Sequence, residues 1–206
     1  MDIFKIYENL NSPYELMEFM DKYITYGFHG TDGVDYLNNG TTEENDIFQK
    51  ACTTVYGLES PEYVLKYGLG HCWDQVELER DWFIKNGYNI KTNYIWFELN
   101  YENAYTTHTY LIYQDKETLE YCLFEHADYE NRGIHKFKTY TEAVIWQKDK
   151  HIAYNKKIGN IIDNEILTHI HIYEYDKPEY GINMFEFIDY VTSQKEITNI
   201  TKKDNK

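Results

Sequence analysis

The sequence predicts an α+β domain, with helices packed on an antiparallel sheet. Three observations predict it. Apolar residues recur at helical spacing in several segments up to about residue 86. From residue 89 the pattern changes to runs that alternate apolar and polar residues. Those runs are separated by short turn-like segments, YENAY, DKET and YENRG, as a meander requires.

The elements follow in order. Residues 1–27 read as helical, with Pro13 opening a stretch in which Leu16, Phe19, Met20, Tyr23 and Ile24 form one stripe, and with Gly27 as its stop. Residues 28–44 are rich in Gly, Asn, Asp and Thr and read as a loop. A short helix over 45–56 carries Ile47, Phe48, Ala51, Cys52 and Val55 on its apolar side. Ser60-Pro61-Glu62 is a helix start: a capping serine, a proline that needs no N–H partner, then an acid at the positive end of the helix dipole. That helix ends near Gly68, and a second runs from Cys72 to about Asn86, with Gly87 as its stop. NIKTNYIWFEL, THTYLIYQ, EYCLFEHAD and HKFKTY read as strands. A helix over about 141–147, an alternating run over 165–175 and a last helix in GINMFEFIDYVTSQ complete the chain. We expect one domain over 1–200, with its core at about 45–140, a helical portion over 1–44 and a polar tail over 201–206.

Composition limits the function classes. The formal net charge is −15, dispersed along the chain, so a phosphate backbone or an anionic membrane surface would be repelled. MDIFKIYENL lacks the charged and apolar regions of a signal peptide, and no apolar run spans a bilayer. The expectation is a soluble, cytoplasmic protein with no nucleic-acid or membrane partner. Its three cysteines, Cys52, Cys72 and Cys122, are widely spaced with no CxxC pair, so neither a disulfide framework nor a zinc knuckle is expected. His169 and His171 lie two apart and face the same way, but no third ligand is evident, so no metal is expected. No cofactor is expected either. The chain has 22 tyrosines, and those in alternating runs, Tyr94, Tyr110, Tyr113 and Tyr121, read as half-buried sheet surface.

The chemistry centres on Cys72. It follows Gly68-Leu69-Gly70 at the first turn of a helix, where unpaired N–H groups and the dipole favour a thiolate. Val76, Leu78, Trp82 and Phe83 bury its side of the helix; Glu79 falls inside that stripe, at its edge or paired with Arg80 or a histidine. Cys52 and Cys122 read as core. His108 shares a strand face with Tyr110 and Ile112. A turn at 115–118 folds the next strand back, so Glu125 can approach His108 and fix its tautomer. Asp128 is the alternative acid, and His126 points to the opposite strand face.

These residues resemble the transglutaminase-like superfamily of papain-related cysteine enzymes. The likeness covers roughly 60–128, in SPEYVLKYGLGHCWDQVEL, THTYLIY and YCLFEHAD, and Trp73 repeats the Cys-Trp pair of many members. The resemblance implies a papain/transglutaminase-like core with Cys72 as nucleophile, His108 as general base and acid, and Glu125 as the orienting acid, where the family more often has Asp. It implies attack on an amide carbonyl of a peptide, protein or small amide substrate through a thioester, with peptidase, amidase or deamidase chemistry favoured over cross-linking. The Cys72 N–H is one oxyanion donor, and the second is unassigned. The alternatives are a non-enzymatic binding domain that keeps the fold, and an arylamine-acetyltransferase-like acyl transferase, whose CoA phosphates the net charge disfavours.

Overall fold

The computed structural model describes residues 2–38, 42–98, 105–159 and 170–197. Two helices open the chain, α1 (Ile3–Glu8) and α2 (Pro13–Tyr23), followed by a small hairpin of β1 (Gly27–His29) and β2 (Asp35–Leu37). Three helices come next, α3 (Thr42–Thr54), α4 (Pro61–Tyr67) and α5 (Cys72–Lys85). Four strands follow, β3 (Ile90–Glu98), β4 (Tyr105–Gln114), β5 (Tyr121–Glu125) and β6 (Gly133–Phe137). Then come α6 (Tyr140–Lys157), β7 (Ile170–Tyr175), α7 (Met184–Thr192) and the short β8 (Lys195–Glu196). The main sheet has the order β6-β5-β4-β3-β7-β8, and every pair in it is antiparallel. The α+β class is therefore as expected.

Strand alternation builds both layers. Leu111, Tyr113, Cys122 and Phe124 pack with Leu78, Trp82 and Phe83 of α5 on one face. Their neighbours Tyr110, Ile112 and Leu123 pack with Ala143 and Val144 of α6 on the other. Tyr94, Tyr110 and Tyr113 are fully buried instead of half-buried, because both faces of the central strands are covered; Tyr121 alone stays intermediate.

Local signals set several boundaries. Ser60 accepts from the Tyr63 N–H, and Gly68 closes α4 in the left-handed region at φ 67°. A Cβ at Gly68 would lie 2.9 Å from the Tyr23 carbonyl oxygen. Gly68→Ala is therefore expected to cost about 1–2 kcal/mol, read as a lower denaturation midpoint.

Other boundaries differ from the sequence reading. The first helical stretch is broken: α1 ends at Glu8, Ser12 caps α2, and Ile24 ends it in an extended conformation. Gly27 begins β1, where a Cβ would meet the Tyr36 carbonyl oxygen at 2.5 Å. The expected loop over 28–44 contains most of the β1–β2 hairpin and the first residues of α3, with 39–41 outside the described residues. Ile47 points outward from α3. Helix α6 runs ten residues past the expected end because its inner face carries the polar Gln147, His151 and Asn155, which blur the apolar period. The first part of the alternating run over 165–175 and the tail at 201–206 lie outside the described residues. Among the described residues, no helix is long and apolar enough to cross a membrane.

Candidate active site

Cys72 is the first residue of α5. Its helix is capped by His71, whose Nδ1 accepts from the Trp73 N–H at 3.1 Å, while Asp74 accepts from the His71 N–H at 3.1 Å. Histidine is an unusual cap, and burial makes it serviceable: it pushes the His71 pKa down and keeps the ring neutral, with Nδ1 free to accept. Tyr56 stacks on the same ring at 4.6 Å. Asp74 also accepts from the Tyr56 hydroxyl and the Glu59 N–H, at 2.7 and 2.9 Å. The helix start that carries the thiol is thus tied down on several sides.

His108 and Glu125 meet across the hairpin. His108 Nε2 lies 2.7 Å from Glu125 Oε2. That oxygen also accepts from Gln147 Nε2 of α6 at 3.0 Å, and Oε1 accepts from the Asp128 N–H at 2.9 Å. A carboxylate that takes three donors has its position and its acceptor role set. Nε2 of His108 therefore carries a proton toward Glu125, and Nδ1 is left for the thiol. The ladder between β4 and β5 ends at Leu111–Phe124, so β4 overhangs its neighbour where His108 lies. The imidazole stacks on His151 of α6, with ring centroids 5.7 Å apart and planes 17° apart.

The electrostatics favour a charged imidazole. Burial opposes the charge on His108, but Glu125 and the adjoining Cys72 thiol outweigh it and hold its pKa well above the ordinary value. Burial and the neighbouring His108 push His151 down to about 3, so no second positive charge competes. Glu79 is 2 % exposed, and burial together with Glu125 holds its carboxyl well above the usual range. It is thus a neutral acid beside the pair. It does not bond Arg80, which pairs with Glu77, and its Oε2 has no hydrogen-bond partner among the described residues.

Tyr26 is the neighbour that sequence reasoning missed. Its phenol lies against both the Cys72 thiol and the Cys72 backbone N–H, and burial, reinforced by that thiol, raises its pKa well above the ordinary value. No local pattern around Thr25-Tyr26-Gly27 marks it, and Gln147 and His151 belong to a stretch of helix whose period is masked by their own polarity. Cys72 is 6 % exposed and His108 7 %, and Tyr26 is among the side chains that cover the thiol.

The remaining candidates take other places. Asp128 accepts from the Glu130 N–H and from Asn131 Nδ2, holding the loop after β5. His126 turns away from Glu125 and bonds Gln75 Oε1 through Nδ1 at 2.6 Å; its Nε2 approaches Asp21 at 3.3 Å outside hydrogen-bond geometry. Burial pushes the pKa of His126 down to about 4. Cys52 and Cys122 are buried, and burial raises both thiols, Cys52 to about 12. All three cysteines are free. His171 pairs with Glu196 at 2.8 Å, whereas His169 lies outside the described residues. Among the described residues, no group of three or more His, Cys, Asp and Glu side chains is arranged to hold a metal. A scan of family models and a search of curated proteins find no match to this chain.

Proposed function

We propose that the protein is a cysteine hydrolase or acyl transferase of transglutaminase-like type that attacks an amide carbonyl through a thioester. The observation that carries this reading is a thiol at a helix start beside an imidazole whose far nitrogen is held by Glu125 at 2.7 Å. The Cys72 thiolate adds to the carbonyl carbon. The carbonyl oxygen displaces the Tyr26 phenol from the Cys72 N–H and accepts from both N–H and phenol O–H. The C–N bond then breaks as the His108 Nδ1–H protonates the leaving amine. A water gives its proton to Nδ1 and attacks the thioester, which releases the acid and restores the thiolate. An amine in place of water would give transamidation. The substrate class is a peptide, protein or small amide, with peptidase, amidase or deamidase chemistry ahead of cross-linking.

A second reading, a non-enzymatic domain that keeps this arrangement, is favoured by one observation, the 6 % exposure of Cys72. Site-resolved alkylation with iodoacetamide across pH, read by mass spectrometry, separates the two. Cys52 and Cys122 are internal standards, since burial holds both thiols protonated. The catalytic reading expects Cys72 to react much faster than either at neutral pH. Equal sluggishness of all three would overturn it in favour of the binding domain.

A further inference from the structure

A cavity of about 520 Å³ is lined by His29, Gly57, Glu59, Tyr63, Tyr180 and Gly181 among others. Cys72 and His108 line no part of it. Its volume falls in the range of small-molecule sites. Its distinguishing feature is Glu59, which is 4 % exposed. Glu59 Oε1 accepts from the His29 N–H at 2.7 Å, and Oε2 has no hydrogen-bond partner among the described residues. A buried carboxyl oxygen with no hydrogen-bond partner costs free energy that an incoming partner would recover.

The surroundings define the sign of that donor. The charged and titratable groups facing Glu59 are Asp74 of α5, Asp35 of β2, and Tyr56, with His29 of β1 bonded to Asp35 at 2.6 Å. Acids dominate, so an anion is excluded. A metal ion is poorly served, because Asp74 already accepts at both oxygens, from Tyr56, Glu59 and His71. An ammonium needs one carboxylate and brings its own donors. Tyr63 and Tyr180 add ring faces of the kind that attract cations; Lys66 and Lys177 already lie near these rings, at 5.4 and 4.8 Å. The rings are thus shared with the chain's own cations, and Glu59 is the group that an outside ligand would gain.

We propose that this cavity is a binding site for a small organic cation, a primary ammonium group that pairs with Glu59 between walls carrying Tyr63 and Tyr180. The inference is independent of the reading of Cys72. Burial and the Asp74 charge push the Glu59 carboxyl up to about 9, so at neutral pH it is protonated. Binding then converts Glu59–COOH and R–NH3⁺ into an ion pair and one proton, which passes to the buffer. Affinity is therefore expected to rise with pH below 9, by up to about tenfold per unit.

The test is calorimetric titration of the whole protein at pH 7 with n-butylammonium, and with n-butanol as the neutral control, in two buffers of different ionisation enthalpy. The expected result is saturable binding at about millimolar affinity or better, butanol at least about tenfold weaker, and close to one proton released per ligand. Glu59→Gln should weaken butylammonium binding at least about tenfold, with its thermal transition showing that it folds. Should that variant not fold, the proton count and the butanol control on the native protein decide alone. Absence of saturable binding, equal binding of butanol, binding without proton release, or full binding by a folded Glu59→Gln variant would each overturn the proposal. None of these readouts involves turnover, so they stand whatever the alkylation of Cys72 reports.

Discussion

Replacing His108 by alanine is expected to slow alkylation of Cys72 at pH 7 by about a hundredfold while leaving Cys52 and Cys122 unchanged. The thiol loses the imidazole that adjoins it and keeps only its place at the start of α5. Glu125→Gln tests the same pair from the other end. With the carboxylate gone, only the Cys72 thiol still opposes burial at His108, its pKa falls, and the imidazolium is lost at a lower pH. An intermediate loss of about tenfold at pH 7 is expected, with a matching downward move of the His108 titration followed by NMR. The sign extends to stability. A histidine raised in the folded state contributes stability that is fully present below its ordinary value near 6.5 and is lost as pH rises through the raised value. Glu125→Gln should flatten that fall on the alkaline side. If both variants alkylate at the native rate, the imidazole and the thiol do not act together.

The largest loss of stability is expected from Arg80→Ala, about 3–5 kcal/mol, measured as a shift of the urea midpoint at constant slope. Arg80 holds Glu77 by Nε and Nη2 at 3.0–3.2 Å, and gives a further bond to Thr92 Oγ1 at 2.6 Å. The Thr92 hydroxyl in turn donates a hydrogen bond to the Tyr175 carbonyl oxygen at 2.6 Å. The guanidinium also lies over the Tyr175 ring at 5.0 Å. Glu77 is fully buried, so removing Arg80 takes away the hydrogen-bonded charge beside it, leaves only the weaker influence of Lys177, and breaks the tie between α5, β3 and β7. Replacing both ends with apolar residues, Arg80→Met with Glu77→Leu, should recover most of the loss, because the desolvation of two charges disappears with them. A double variant as unstable as Arg80→Ala would mean that the network contributes by geometry, not charge.

Local chemistry explains what could be read from residues alone. Ser60-Pro61, Gly68 and Gly87 act through their own backbone, so the bounds of α4 and α5 were legible, as were Cys72 at a helix start and the cores around Cys52 and Cys122. Period-two alternation gave β3 to β6 and the antiparallel meander, and with it the facing of His108 and Glu125. Where the sequence reading failed, polar residues sit in buried places. The inner face of α6 carries Gln147, His151 and Asn155, and their partners are His108, Glu125 and the helix's own backbone. No hydropathy pattern can announce a side chain whose burial is repaid by a group distant in sequence.

The chain by itself thus determined the α+β class, the helix that presents the thiol and the hairpin that brings imidazole to carboxylate, because caps, turns and alternation act over a few residues. Only the tertiary structure decided that Tyr26 covers the thiol, that Gln147 is a second donor to Glu125, that Arg80 belongs to Glu77 and not to Glu79, and that Glu59 lies in a cavity without a counter-charge. Each of those depends on which groups burial brings together across the fold, and in a low-dielectric interior that pairing, more than the residue's own type, sets its charge and its chemistry.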